Sequence, residues 1–246
     1  MRIIISPAKK MKVEEDLLDW QELPVFIQEA EHIAQWLQSL RFEELKTLWE
    51  CNDKIAQLNY ERLRDMQLKN RLTPAILSYE GIQYQYMAPA VFEDGMLSYV
   101  QEHLRILSGF YGVLKPMDGV TPYRLEMQAK TTIDGRNGLY DFWGKRLYGE
   151  VIDDSRVIVN LASKEYAKCI ERYLTPEDRF ITCIFGELSD GKVLQKGVYA
   201  KMARGEMVRF MAQNEIMKPE DMQTFDRLGY RFDRALSTAT EYVFIR

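Results

Sequence analysis

The sequence predicts an α+β protein folded as one domain of mixed sheet and helices. Three observations carry this. The chain has 246 residues, enough for one large buried core. Its apolar fraction of 46% and charged fraction of 28% are those of a globular protein, which argues against disorder. Segments of strand and helix character alternate irregularly, and neither an internal repeat nor a linker rich in Ser, Gly or Pro divides them.

The elements follow in order. Ile3-Ile4-Ile5 is a short buried strand, closed by Ser6-Pro7, because proline cannot continue the ladder. The loop after it carries Lys9, Lys10 and Lys12. Leu23, Phe26, Ile27, Ala30, Ile33, Ala34 and Leu37 recur at helical spacing, and Phe42, Leu45, Leu48 and Trp49 continue the pattern after a break. Asn52 is a cap for a third helix through Ile55, Leu58, Leu63 and Met66. Residues 75–92, aromatic and β-rich around Gly81, read as strand or hairpin. Asp94 opens a helix through Leu107. The stretch 109–138 is broken by glycines and prolines and reads as loop, and 139–152 as helix. Residues 156–162 form the clearest strand, and Ser163 caps a helix over 164–173. Residues 180–188 and 193–199 pair around Asp190-Gly191, a hairpin turn. A helix over 203–216 and strands at 229–233 and 240–245 close the chain.

Composition narrows the function classes. No run of eighteen apolar residues exists, and the apolar start is too short for a signal peptide, so a cytoplasmic protein without membrane contact is expected. Cys51, Cys169 and Cys183 are far apart and form no CxxC, which argues against a zinc site or a disulfide framework. Glu29 and His32 have the spacing of a di-iron helix, but His103 has Val100 where the second glutamate belongs, so no metal or other cofactor is expected. The net charge of −4 is unevenly spread: residues 13–50 hold ten acids and two bases, leaving +4 on the remainder. An acidic chain of this kind can still present a basic cleft, because screening makes local charge matter more than the total.

Five segments have residue types suited to phosphate. Ile5-Ser6-Pro7-Ala8-Lys9-Lys10 and Asn160-Leu161-Ala162-Ser163-Lys164-Glu165 share one form, an apolar strand followed by a small polar turn and lysine. Parallel pairing of the two strands would place Ser6, Lys9, Asn160, Ser163 and Lys164 on one sheet edge, where open sheets bind ligands. The plainer alternative is a helix cap at Ser163 and a solvated Lys164. Leu107 to Gly112 lies between a helix and a returning segment, the layout of a helix-hairpin-helix whose amides hold phosphate; Gly109 and Gly112 would permit close approach, with Arg105 and Lys115 adding charge. A simple helix end is the alternative there. Arg124 and Glu126 face one side of an extended segment and either pair or clamp a phosphate. Lys201 and Arg204 are three apart on a helix, while Arg209 lies on another side of it.

Six segments in order along the chain resemble the YaaA peroxide-stress family: IIISPAKKM at 3–11, LRILSGFYGVLKPMD at 104–118, PYRLEM at 122–127, LYDFWG at 139–144, NLASKEY at 160–166 and YAKMARGEMVRF at 199–210. The resemblance implies a fold peculiar to that family, a positively charged cleft, a helix-hairpin-helix, and binding to double-stranded or branched DNA in protection from hydrogen peroxide and iron damage. The expectation is a non-enzymatic DNA-binding protein that contacts phosphates through Lys9, Lys10, Arg105, Lys115, Arg124, Lys164, Lys201, Arg204 and Arg209, with the acidic 13–50 face turned away. The rival expectation is an enzyme acting on a nucleotide or nucleic acid through a pocket of Ser6, Lys9, Asn160, Ser163, Lys164 and Glu165. The oligomeric state is left open, a monomer included.

Overall fold

The computed structural model describes residues 1–14 and 16–246; Glu15, one acid of the 13–50 block, lies outside them. Among the described residues the main sheet has eight strands: β1 (Arg2–Ile5), β2 (Leu104–Ser108), β3 (Gly112–Leu114), β4 (Val157–Leu161), β5 (Arg179–Ser189), β6 (Lys192–Leu194), β7 (Arg231–Phe232) and β8 (Glu241–Ile245). Their order is β7-β8-β5-β4-β1-β2-β3, with β6 folded onto β5. The contiguous strands β8, β5, β4, β1 and β2 are mutually parallel; β3, β6 and β7 join antiparallel. The α+β expectation is therefore refined to an α/β arrangement with a mixed sheet. Irregular spacing along the chain concealed the parallel centre, because insertions separate its strands.

The central strand is β1. Ile3, Ile4 and Ile5 are fully buried, as a strand covered on both faces requires. It pairs in parallel with β4, Arg2 beside Ile158 through Ile5 beside Leu161, and on its other side with β2. The chain thus leaves β1 for β2 on one side and returns to β4, β5 and β8 on the other. The order reverses between β1 and β4.

Helices α1 (Ile27–Gln38), α2 (Phe42–Trp49) and α3 (Asp53–Arg64) fall where their apolar spacing puts them, and the Asn52 side chain accepts the Ile55 N–H (3.0 Å). The segment 75–92 differs from expectation. It forms α4 (Ala75–Ser78) and α5 (Ile82–Met87), with a two-residue strand at Tyr79–Glu80 between them. Its aromatic content suits a strand, but tertiary packing overrides propensity.

Helix α6 (Asp94–His103) stops earlier than its leucines suggested. His103 Nδ1–H donates to the Met1 carbonyl (2.9 Å), and Leu104 enters β2 beside Ile3. A short buried apolar run such as 104–108 fits either period. The helix-hairpin-helix expected at 107–112 is consequently a β-hairpin between β2 and β3. Phe110 and Tyr111 are fully buried, and their amides donate to Ser108 Oγ (3.1 and 2.8 Å). Gly109 is needed for packing, since a Cβ there would lie 2.7 Å from the Leu125 carbonyl oxygen.

The helix expected over 139–152 divides into α7 (Leu139–Trp143) and α8 (Arg146–Val151) at Gly144, whose φ is +55°. Helix α9 (Lys164–Glu171) follows β4 directly. The β5–β6 turn has positive φ at both Asp190 and Gly191, as a tight hairpin demands. Helix α10 (Gly197–Gln213) begins inside the segment read as strand. No helix among the described residues is long and apolar enough to cross a membrane.

Helices α5 and α10 cross closely at Gly205, where a Cβ would stand 2.1 Å from the Gln83 carbonyl oxygen and 2.9 Å from the Met87 nitrogen. Backbone cannot yield as a side chain does. Gly205→Ala is expected to lower the unfolding free energy by about 2 kcal/mol or more in a urea titration, despite the better helix propensity of alanine.

Candidate functional site

Where the strand order reverses, the loops leaving β1 and β4 diverge and leave a crevice at their carboxyl ends. The cleft there has a volume of about 510 Å³. Five segments line it: Ser6–Lys10 after β1, Glu80–Tyr84 entering α5, Tyr123–Glu126, then Ser163, Glu165 and Tyr166 entering α9, and Lys201 and Arg204 on α10.

The two strand-end turns are clasped together. Ser163 N–H donates to Ser6 Oγ (2.8 Å), and Ser6 Oγ–H donates to Ser163 Oγ (3.2 Å). Ser163 therefore begins α9 without a side-chain cap of its own. Tyr84 O–H donates to the Ser6 carbonyl (3.0 Å), fixing the same loop from α5. Tyr123 lies behind, its hydroxyl 2.7 Å from Ser108 Oγ and 2.8 Å from the Tyr79 hydroxyl. Ser108 already accepts two amides, so its proton goes to Tyr123, and the Tyr123 proton to Tyr79.

The cleft carries five basic side chains, Lys9, Lys10, Arg124, Lys201 and Arg204, against the carboxylates Glu80, Glu126 and Glu165. Lys9 Nζ pairs with Glu126 Oε1 (2.6 Å), and Arg124 Nη2 lies 3.9 Å from the same oxygen. Arg124 is nine-tenths buried and also donates to the Trp49 carbonyl (3.3 Å). Burial raises the Glu165 carboxyl above its ordinary value and nearby Glu126 adds to this, against the opposing Gln128 amide bond. Among the described residues, Lys10, Lys201 and Arg204 have no ion-pair partner. Burial pulls the Arg204 guanidinium below its ordinary value. Arg204 Nε, Arg124 Nε and Gln83 Nε2 are all buried without an acceptor. Each such donor costs about 1–3 kcal/mol while unmet.

The remaining expected contacts lie elsewhere. Asn160 is a brace: its Nδ2 donates to Thr182 Oγ1 (3.2 Å) and its Oδ1 accepts the Ala162 amide (2.9 Å). Lys164 is exposed beside the lining residues Ser163 and Glu165 but does not line the cleft. Arg209 is half-buried on another side of α10. Arg105 is buried, and its Nη1 donates to the carbonyls of Gln101, Glu102 and Leu104 at the end of α6. Lys115 pairs with Glu22 (3.1 Å). Those two share a separate hollow, on which Asp118 also borders, its carboxyl pushed to about 7 by burial. His32 faces Asp134 at 2.7 Å.

Gln83, Tyr84, Tyr123 and Tyr166 are cleft residues that sequence reasoning did not single out. Gln83 and Tyr84 belong to the segment read as strand. The tyrosines were indistinguishable from core aromatics until the topology placed them.

The fold thus defines an α/β protein with a donor-rich crevice, the candidate ligand site, at a sheet switch point. The model of the family described as "Peroxide stress protein YaaA" matches residues 1–236. A UPF0246 protein of Agathobacter rectalis is 61% identical over 246 residues, covering 100% of this chain and 99% of the relative. UPF0246 proteins of Lachnoclostridium phytofermentans and Pediococcus pentosaceus are 55% and 54% identical over all of this chain, covering 96% and 98% of their own lengths. The chain belongs to the peroxide stress protein YaaA family.

An unmet buried guanidinium is a stability cost kept in the folded protein. Arg204→Met retains the aliphatic bulk and removes the charge and the orphaned Nε–H. It is expected to raise the unfolding free energy by about 1 kcal/mol in denaturant titration. A loss of stability would show that Arg204 supports the fold instead.

Proposed function

We propose that this is a DNA-binding protein of the hydrogen peroxide stress response, which holds phosphates in the cleft with little sequence preference and so protects DNA from peroxide and iron damage. What supports the reading is one observation: lysines and arginines distant in sequence converge on the crevice between β1 and β4, and among the described residues three of them lack an anionic partner. Cations left unpaired beside unmet N–H donors suit a polyanion rich in acceptors. Phosphate contacts fix position without reading bases, so discrimination among duplex sequences is weak. Lys9, Lys10 and Lys201 carry the phosphate contact from their exposed positions, with Arg124 and Arg204 adding positive charge behind them. Arg105, Lys115, Lys164 and Arg209 lie off the cleft lining and at most extend it.

The size of the cleft favours a second reading, an enzyme acting on a nucleotide or nucleic acid. A volume of about 510 Å³ is that of a small-ligand pocket. Glu165, its carboxyl raised by burial, would then serve as general acid or base beside Ser6 and Lys9. Turnover of a nucleotide by purified protein would select this reading.

For the binding reading, duplex affinity is expected to fall steeply between 50 and 200 mM salt, with a logarithmic slope of roughly −0.9 per phosphate neutralised. Lys10→Ala and Lys201→Ala should each reduce that slope by about 0.9 in fluorescence anisotropy titrations. A flat salt response would contradict the mechanism.

A further inference from the structure

The cleft is graded with depth. Lys9, Lys10 and Lys201 are exposed at its mouth. Below them, Gln83 is 7% exposed, Arg124 is nine-tenths buried, and Arg204 is half-buried with its Nε covered. The rings of Tyr84, Tyr123 and Tyr166, all buried, line the cleft with them. A double helix cannot enter about 510 Å³, whereas small-ligand pockets of roughly 300–1,000 Å³ enclose molecules the size of one nucleotide. The mouth therefore suits a phosphate backbone, and the interior suits a planar group with acceptor atoms on its edge.

The three unmet donors sharpen this. Gln83 Nε2, Arg124 Nε and Arg204 Nε are N–H groups in one cleft, each without an acceptor. A phosphate at the mouth would meet the exposed lysines and leave these buried groups unsatisfied. A base turned inward brings ring nitrogens and carbonyl oxygens to the side chains of Gln83, Arg124 and Arg204, which line the cleft and can turn their N–H groups to it. The glutamine amide is neutral, which suits a base edge better than a second phosphate. The tyrosine rings form the apolar wall such a base needs, and contact between a base and an aromatic ring is worth about 1–3 kcal/mol.

We propose that the cleft receives one unpaired nucleotide of a DNA strand, its base turned out of the stack towards Tyr84, Tyr123 and Tyr166, its acceptor edge on Gln83, Arg124 and Arg204, and its flanking phosphates on Lys9, Lys10 and Lys201. This rests on the DNA-binding reading and adds the bound unit to it. Turning a base out of a perfect duplex costs a few kcal/mol, and least where the base is already unpaired. The protein accordingly selects unpaired positions without reading the surrounding sequence.

The test compares a 20-base-pair duplex with the same duplex carrying one bulged thymine, by anisotropy and by permanganate reactivity of that thymine. The expected result is tighter binding of the bulged duplex by about tenfold or more, with the thymine protected at saturating protein. In Gln83→Leu, and independently in Arg204→Met, the ratio of the two affinities should fall towards one. Equal affinities, or a bulged thymine that stays reactive in the complex, overturn the inference and leave the DNA-binding reading standing. Failure to bind either duplex at 50 mM salt overturns both.

Discussion

The parallel pairing of β1 with β4 is the constraint on which the site depends. It brings Ser6 and Ser163, 157 positions apart, within one hydrogen bond of each other. Because strand order reverses there, the two outgoing chains separate and a crevice opens above the clasp. Every other lining group is positioned relative to that edge. Tyr84 holds the Ser6 loop from α5, and the close crossing at Gly205 sets α10, with Lys201 and Arg204, against α5. A slip of one residue between β1 and β4 would part the Ser6–Ser163 clasp from which the cleft is built.

The cleft is also where the fold accepts a cost. Elsewhere many buried polar groups find partners, as where Asn160 braces β4 to β5 and Ser108 satisfies the turn amides, though Trp49 Nε1, Arg105 Nε and Thr131 Oγ1 are among the buried atoms that do not. On the cleft wall three N–H donors do not. Glu126 partly compensates by standing beside Lys9 and Arg124, occupying the place an external anion would take. What sets the crevice apart is that three such donors stand together on one wall, beside lysines without an ion-pair partner among the described residues.

The sequence disclosed the most regular parts. The triple isoleucine marked the central strand, the 3.6-residue spacing marked α1 to α3, and Asp190-Gly191 marked the hairpin. The two matched turns, Ser-Pro-Ala-Lys and Ala-Ser-Lys, anticipated a shared sheet edge, and the observed register puts them on one. Of the cations, Lys9, Lys10, Arg124, Lys201 and Arg204 reach the cleft, whereas Arg105 and Lys115 meet at another hollow. Charge alone could not separate these groups, because an arginine that caps carbonyls and one that awaits an anion look alike in sequence. Segments 75–92 and 104–112 failed for a different reason. Short, wholly buried runs lose the period that distinguishes helix from strand, so the supposed helix-hairpin-helix became a β-hairpin and the supposed hairpin became α5.

The central claim is that the crevice between β1 and β4 binds anionic, acceptor-rich ligands through its unmet donors. Crystals of the protein soaked in tungstate, a heavy analogue of phosphate, test it directly through anomalous scattering. The account predicts a tungstate within hydrogen-bond distance of Arg204 or Arg124 with Lys10 or Lys201 alongside. An unoccupied cleft, with tungstate only at other lysines or at Arg105 and Lys115, would contradict it.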